Sequence, residues 1–182
     1  MKTVLRAGIV MAAAAAIAAP AAHAEVADSA PGGFTVSTAA TIAAAPQTVY
    51  RRVVEDVGRW WSPEHTFSGK ASNLFIEGRP GGCFCERLPA AGGVRHMAVV
   101  FADPPKTLRM DGALGPLQAL AVTGAMTWTF TPKGAGTEVS LVYTVGGYRP
   151  GGLAALAPGV NAVLEEQLAR LKRFVETGRP TP

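Results

Sequence analysis

Residues 158–177 read PGVNAVLEEQLARLKRFVET. Val160, Val163, Leu164, Leu168, Leu171, Phe174 and Val175 recur at three- and four-residue steps, which on an α-helix gathers them into one wide apolar stripe. Glu165, Glu166, Arg170, Lys172, Arg173 and Glu176 occupy the other side. A helix of about 20 residues rises roughly 30 Å. Pro158 suits its first turn and Gly178 the residue after its last. A striped helix of this length needs an apolar surface to lie on, and its ordinary role is packing against a sheet.

The chain upstream supplies that sheet. Short alternating runs occupy 72–77, 83–88, 94–101, 106–111, 122–131 and 137–146. Turn residues part them: Gly78 to Gly82, Pro89 to Gly93, Asp103-Pro104-Pro105 and Lys133 to Gly136. Such runs read as consecutive antiparallel strands. Phe34 to Ala43 alternates in the same way, with Phe34, Val36, Thr38, Ala40 and Ile42 on one side. Pro46 then opens a helix carrying Val49, Tyr50, Val53, Val54 and Val57, with Gly58 as its cap. Trp60-Trp61-Ser62-Pro63 breaks it, and Pro63 to Phe67 fits one further helical turn. The fold class is therefore α+β: a curved antiparallel sheet of about six to seven strands wrapped on a long C-terminal helix, with a cavity between the two.

Composition suits one domain. Of 182 residues, 48% are hydrophobic and 16% charged, enough for a core. Much of the positive mean hydropathy of +0.21 comes from residues 1–24, MKTVLRAGIVMAAAAAIAAPAAHA. Lys2 and Arg6 form a positive start, Ala7 to Ala19 an apolar stretch too short for a membrane span, and Ala22-His23-Ala24 a small-x-small cleavage site. We read 1–24 as a signal peptide cut after Ala24 and the remainder as a periplasmic or secreted protein. Residues 25–33 and 178–182 read as disordered ends around a domain at 34–177. Without Lys2 and Arg6, 15 basic and 13 acidic residues remain, +2, too weak a balance for a nucleic-acid partner. No cysteine sits near the cleavage site to take a lipid anchor, no second stretch approaches a membrane span, and a monomer is expected.

The order of elements resembles the START-like, or SRPBCC, helix-grip superfamily. Local motifs are similar to the family named after activators of a heat-shock chaperone ATPase and to its bacterial relatives. They are Ile42 to Tyr50 (IAAAPQTVY), Trp60-Trp61, Arg79 to Leu88 (RPGGCFCERL), Asp103 to Met110 (DPPKTLRM) and Lys133 to Tyr148 (KGAGTEVSLVYTVGGY). The resemblance covers residues 34–177. It implies a hydrophobic ligand cavity: members bind lipids, sterols or polyketides, and some catalyse cyclisation or hydrolysis. An exported chain would not meet the cytosolic chaperone, so that activity is not expected here.

Candidate chemistry is sparse. No GxSxG, HExxH or P-loop is present, and the paired glycines lie at turns rather than between a strand and a helix. Cys83 and Cys85 stand two apart on one strand, about 6.6 Å from rise alone. That is the outer limit for a bridge, so they read as two small buried hydrophobes. No metal or cofactor is expected. His65 reads as a surface residue at a helix end. A hairpin turn centred on Ala91 sets Glu86 opposite His96. Facing the cavity, the pair is a polar handle or an acid/base couple; facing solvent, it is a cross-strand charge pair. That register puts Met97 and Phe101 on the opposite face. Large apolar side chains are the expected ligand contacts: Trp60, Trp61, Phe67, Phe75, Met97, Phe101, Met110, Met126, Trp128, Tyr143, Leu164 and Leu168. The apolar, Gly/Pro-rich segments 112–121 and 146–159 read as lids. The first expectation is a binding module for a small hydrophobic molecule, not an enzyme. The alternatives are a cyclase- or hydrolase-type enzyme using Glu86 and His96, and an interaction protein with a collapsed cavity.

Overall fold

The computed structural model describes residues 23–182. An eight-stranded antiparallel sheet holds β1 (His23–Ala30), β2 (Gly33–Ile42), β3 (Leu74–Ile76), β4 (Cys83–Arg87), β5 (Gly93–Asp103), β6 (Thr107–Asp111), β7 (Ala121–Lys133) and β8 (Gly136–Tyr148), in the order β1-β2-β8-β7-β6-β5-β4-β3. Helices α1 (Pro46–Glu55) and α2 (Val57–Trp60) connect β2 to β3 at the far edge, and α3 (Ala157–Thr177) closes the chain. The sheet curves around α3 in the helix-grip arrangement.

One face of the sheet makes the core. The period-two pattern turns Phe34, Val36 and Ile42 of β2, Met126, Trp128 and Phe130 of β7, and Val139, Leu141 and Tyr143 of β8 to the same buried side. Leu164, Leu168, Leu171 and Phe174 of α3 complete it. At the helix end Gly178 takes φ +78° and donates its N–H to Phe174 O at 2.9 Å, the left-handed cap expected there.

Several local expectations are corrected. Residues 25–33 do not form a disordered leader. Most belong to β1, paired with β2 from His23↔Ala39 to Ala30↔Gly33, so the strand count is eight. Their small polar side chains hid the strand, because an edge strand is held by its backbone and needs little apolar patterning. Cleavage after Ala24 would leave Glu25–Ala30 to make that edge; the rest of the proposed signal, 1–22, lies outside the described residues. Gly58 does not cap the first helix, which ends at Asp56. It sits inside α2, where a Cβ would come within 2.9 Å of Ala71 O. Residues 179–182, at the C-terminal end, carry no helix or strand.

The hairpin β4–β5 departs most from expectation. Its turn is built on Ala90 and Ala91, both at positive φ (+55° and +61°), with Gly92 N–H donating to Pro89 O at 3.1 Å. This sets Glu86 opposite Val94 rather than His96. The pairing then jumps from Cys85↔Arg95 to Phe84↔Met97, so His96 is an extra, bulged residue. Val100 is a second one, between Val99↔Met110 and Phe101↔Arg109. Opposite the first bulge, Cys83 and Cys85 are joined in a disulfide and half-buried, not packed as separate apolar side chains. Their Cα atoms lie 5.5 Å apart, inside the usual range for a bridge and shorter than the extended rise assumed from sequence.

Candidate functional site

A cavity of about 390 Å³ lies at one end of the sheet–helix interface, within the size range of small-molecule sites. Its walls come from four places. The α2–β3 loop contributes Trp61, Glu64, His65, Thr66 and Phe67, and the sheet contributes Phe84 and His96. The segment before β7 contributes Leu114 to Leu117, and the start of α3 with the turn before it contributes Leu156, Gly159, Val160, Val163 and Leu164. The helix stripe therefore divides. Leu168, Leu171 and Phe174 lie on packed sheet, while Val160 and Val163 remain partly uncovered and face the cavity.

Both rims are anchored. Arg170 donates from Nε to Trp60 O at 2.9 Å, Gln167 Oε1 accepts from Ser62 N–H at 2.8 Å, and His65 Nε2 pairs with Glu166 Oε2 at 3.0 Å. These contacts strap the α2–β3 loop to α3. On the opposite rim, the Tyr143 hydroxyl donates to Gly112 O at 3.0 Å and accepts from Leu114 N–H at 3.1 Å. Burial pushes this hydroxyl up to about 12, so it stays protonated and able to donate. Gln118 Nε2 donates to Arg95 O at 2.9 Å and ties the same segment to β5.

Glu86 and His96 meet on the inner, buried side. Their register differs from the expected one, but the bulge turns both His96 and its neighbour Met97 inward. His96 Nε2 lies 3.1 Å from Glu86 Oε2; the same oxygen accepts from Phe67 N–H at 3.0 Å, and Oε1 accepts from Ser68 N–H. Burial alone would raise the Glu86 carboxyl, but the hydrogen bonds from Ser68, Phe67 and His96 outweigh it and hold the group below the ordinary carboxylate range. Burial pushes His96 down by more than the Glu86 charge pulls it up. At neutral pH the pair is then an ionised carboxylate and a neutral imidazole whose Nε2–H donates to it. Among the described residues Nδ1 has no partner. The imidazole is flanked by Phe67, centroids 5.9 Å apart with 26° between the ring planes, and by Phe84 at 5.0 Å.

The sequence-selected contacts scatter. Trp61, Phe67, Leu164 and His96 line the cavity, with Glu86 directly behind His96. Trp60, Met97, Met110, Met126, Trp128 and Leu168 are packed into the core and do not line it, and Tyr143 is buried with only its hydroxyl reaching the rim segment at Gly112 and Leu114. Phe75 and Phe101 do not reach it either. Phe75 lies under the Arg87 guanidinium at 4.4 Å, and Phe101, 44% exposed, under that of Arg109 on the outer face. The Val100 bulge is what turns Phe101 outward. His65 stands at the rim rather than on open surface. Val160, Val163 and Leu156 were missed as contacts because a helix stripe gives no sign of where its sheet stops. The proposed lid over 112–121 does border the cavity. Among the described residues no helix is long and apolar enough to cross a membrane.

Residues 33–176 match the family described as polyketide cyclase/dehydrase and lipid transport. No curated protein matches the chain. Among solved structures it is similar to a conserved protein of unknown function, EF2215 from Enterococcus faecalis, at 18% identity and TM-score 0.61, covering 88% of this chain and 80% of that one. CalU16 from Micromonospora echinospora is similar at 14% identity and TM-score 0.57, covering 87% and 88%. The Aha1 dimer from Colwellia psychrerythraea is similar at 17% identity and TM-score 0.57, covering 79% and 97%. At these identities the likeness is one of fold.

Proposed function

The chain belongs to the polyketide cyclase/dehydrase and lipid transport family, and from that premise we propose that it is an exported carrier that holds a small lipid-, sterol- or polyketide-like molecule between its sheet and α3. The observation that carries the reading is the cavity of about 390 Å³ whose walls leave Val160, Val163 and Phe67 without a protein partner large enough to cover them. Apolar surface of this kind is stabilised by a ligand at about 25 cal/mol per Å² removed from water. Trp61 lines the cavity whereas Trp60 and Trp128 lie in the core. Entry of an apolar ligand should therefore quench the Trp61 emission. Val163→Phe, which fills the space from a partly exposed helix position, should abolish the quench while leaving the fold intact. A panel of lipids, sterols and aromatic polyketides that leaves wild-type emission unchanged would sink the proposal.

A second reading, a cyclase- or hydrolase-type enzyme, is favoured by one observation: the buried Glu86–His96 pair, whose imidazole keeps one unpartnered nitrogen on a residue that lines the cavity. It requires that Glu86→Gln abolish turnover of some substrate while sparing its affinity.

A further inference from the structure

We propose that the cavity selects a neutral molecule carrying a hydroxyl group, and that this hydroxyl donates to Nδ1 of His96. The inference rests on the carrier reading above and narrows its ligand. His96 is 3% exposed and its ring forms part of the cavity wall between Phe67 and Phe84. Its Nε2 is engaged by Glu86, which two backbone N–H groups hold in place. Nδ1 is thus a bare acceptor with no partner among the described residues. A buried acceptor without a donor is rare in folded proteins and calls for an occupant.

The polarity of the atom decides what that occupant presents. An ether or ketone oxygen would meet a lone pair with a lone pair, so a donor is required. An ionised carboxylate fails twice. It carries no donor, and no lysine or arginine is among the residues that line the cavity, while Glu64 stands on its rim. An ammonium group would donate, but the walls around it are apolar. The Glu86 oxygens already receive three N–H groups, so the cation would be desolvated at the nitrogen, with its nearest unengaged carboxylate in the lining, Glu64, out on the exposed rim. Among neutral donors, an alcohol or phenol is the class that the lipid-, sterol- or polyketide-like ligand of the carrier reading would present. The Phe67 ring stacks on the imidazole, centroids 5.9 Å apart, yet Phe67 is 54% exposed. Glu86 pins only its backbone N–H, so the ring keeps rotamer freedom beside the imidazole.

The test compares three probes of similar shape by calorimetry at pH 7: 2-naphthol, naphthalene and 2-naphthoate. We expect His96→Leu to weaken 2-naphthol about tenfold more than it weakens naphthalene, the scale of one lost hydrogen bond. We expect 2-naphthoate to bind wild type more weakly than either. In unmodified protein, ¹⁵N spectra should show His96 Nδ1 unprotonated, shifting on saturation with 2-naphthol and unmoved by naphthalene. The inference is overturned if Nδ1 carries the proton, if the variant loses both neutral probes equally, or if the carboxylate binds best. If naphthalene binds and the hydroxyl adds nothing, this inference falls while the carrier reading stands. If no probe binds wild type, both fall.

Discussion

At His96 the chain keeps an imidazole neutral in a place where nothing in the protein meets one of its nitrogens. That choice has a pH signature. The folded-state value of His96 lies below its ordinary 6.5, so the unfolded chain takes up the proton first. The stability this residue contributes is complete above about pH 6.5 and is lost as the pH falls through that value. Glu86 is also held low, so its own contribution is lost only at lower pH, below its ordinary 4.5. Urea unfolding at pH 7 and pH 5.5 should therefore show a drop in stability that His96→Leu abolishes; an equal drop in the variant would assign it elsewhere. The cysteines act on a smaller scale. A bridge across a three-residue loop restrains little unfolded chain, about 1–2 kcal/mol on the entropic account. Reducing Cys83–Cys85 should lower unfolding free energy by no more than that, as read from denaturation curves with and without reductant.

At the scale of elements, α3 does two jobs along one stripe. Leu168 is fully buried on packed sheet, and Leu168→Ala should cost about 2–5 kcal/mol. Val163 belongs to the same stripe but faces the cavity, so Val163→Ala should cost well under half as much by the same measurement. Equal losses would mean the cavity is closed in solution. The β4–β5 turn offers a gain instead. Ala90 and Ala91 hold a left-handed backbone that Asn-Gly would adopt readily. Ala91→Gly should raise stability by about 1 kcal/mol, with the midpoint of urea unfolding as the readout. A fall would show that the turn takes another form.

At the scale of the whole molecule, the cavity exists because one helix cannot cover the full width of an eight-stranded sheet. The α2–β3 loop and the segment before β7 close part of the gap, each strapped by hydrogen bonds and anchored by a buried apolar side chain, Trp61 and Leu117. Export is the remaining large-scale expectation, resting on Lys2, Arg6 and the alanine-rich stretch. N-terminal sequencing of protein recovered from the periplasm should begin at Glu25, which keeps most of β1 against β2; recovery of Met1 would overturn it.

The element order from β2 onward, the inner faces of β2, β7 and β8, and the C-terminal helix were legible in the sequence alone. They depend on periodicities of 2 and 3.6 that any reader of apolar positions can count. The edge strand β1 was not legible, because backbone pairing leaves no apolar signature. Nor was the division between wall and core. Trp128 and Met126 differ from Trp61 and Phe67 in where the sheet stops beneath α3, not in residue type, and only the tertiary structure decides that. The meeting of Glu86 with His96 depended on it most. The counted register was wrong, and a one-residue bulge brought the two side chains together, because adding a residue to a strand changes which side chains turn inward.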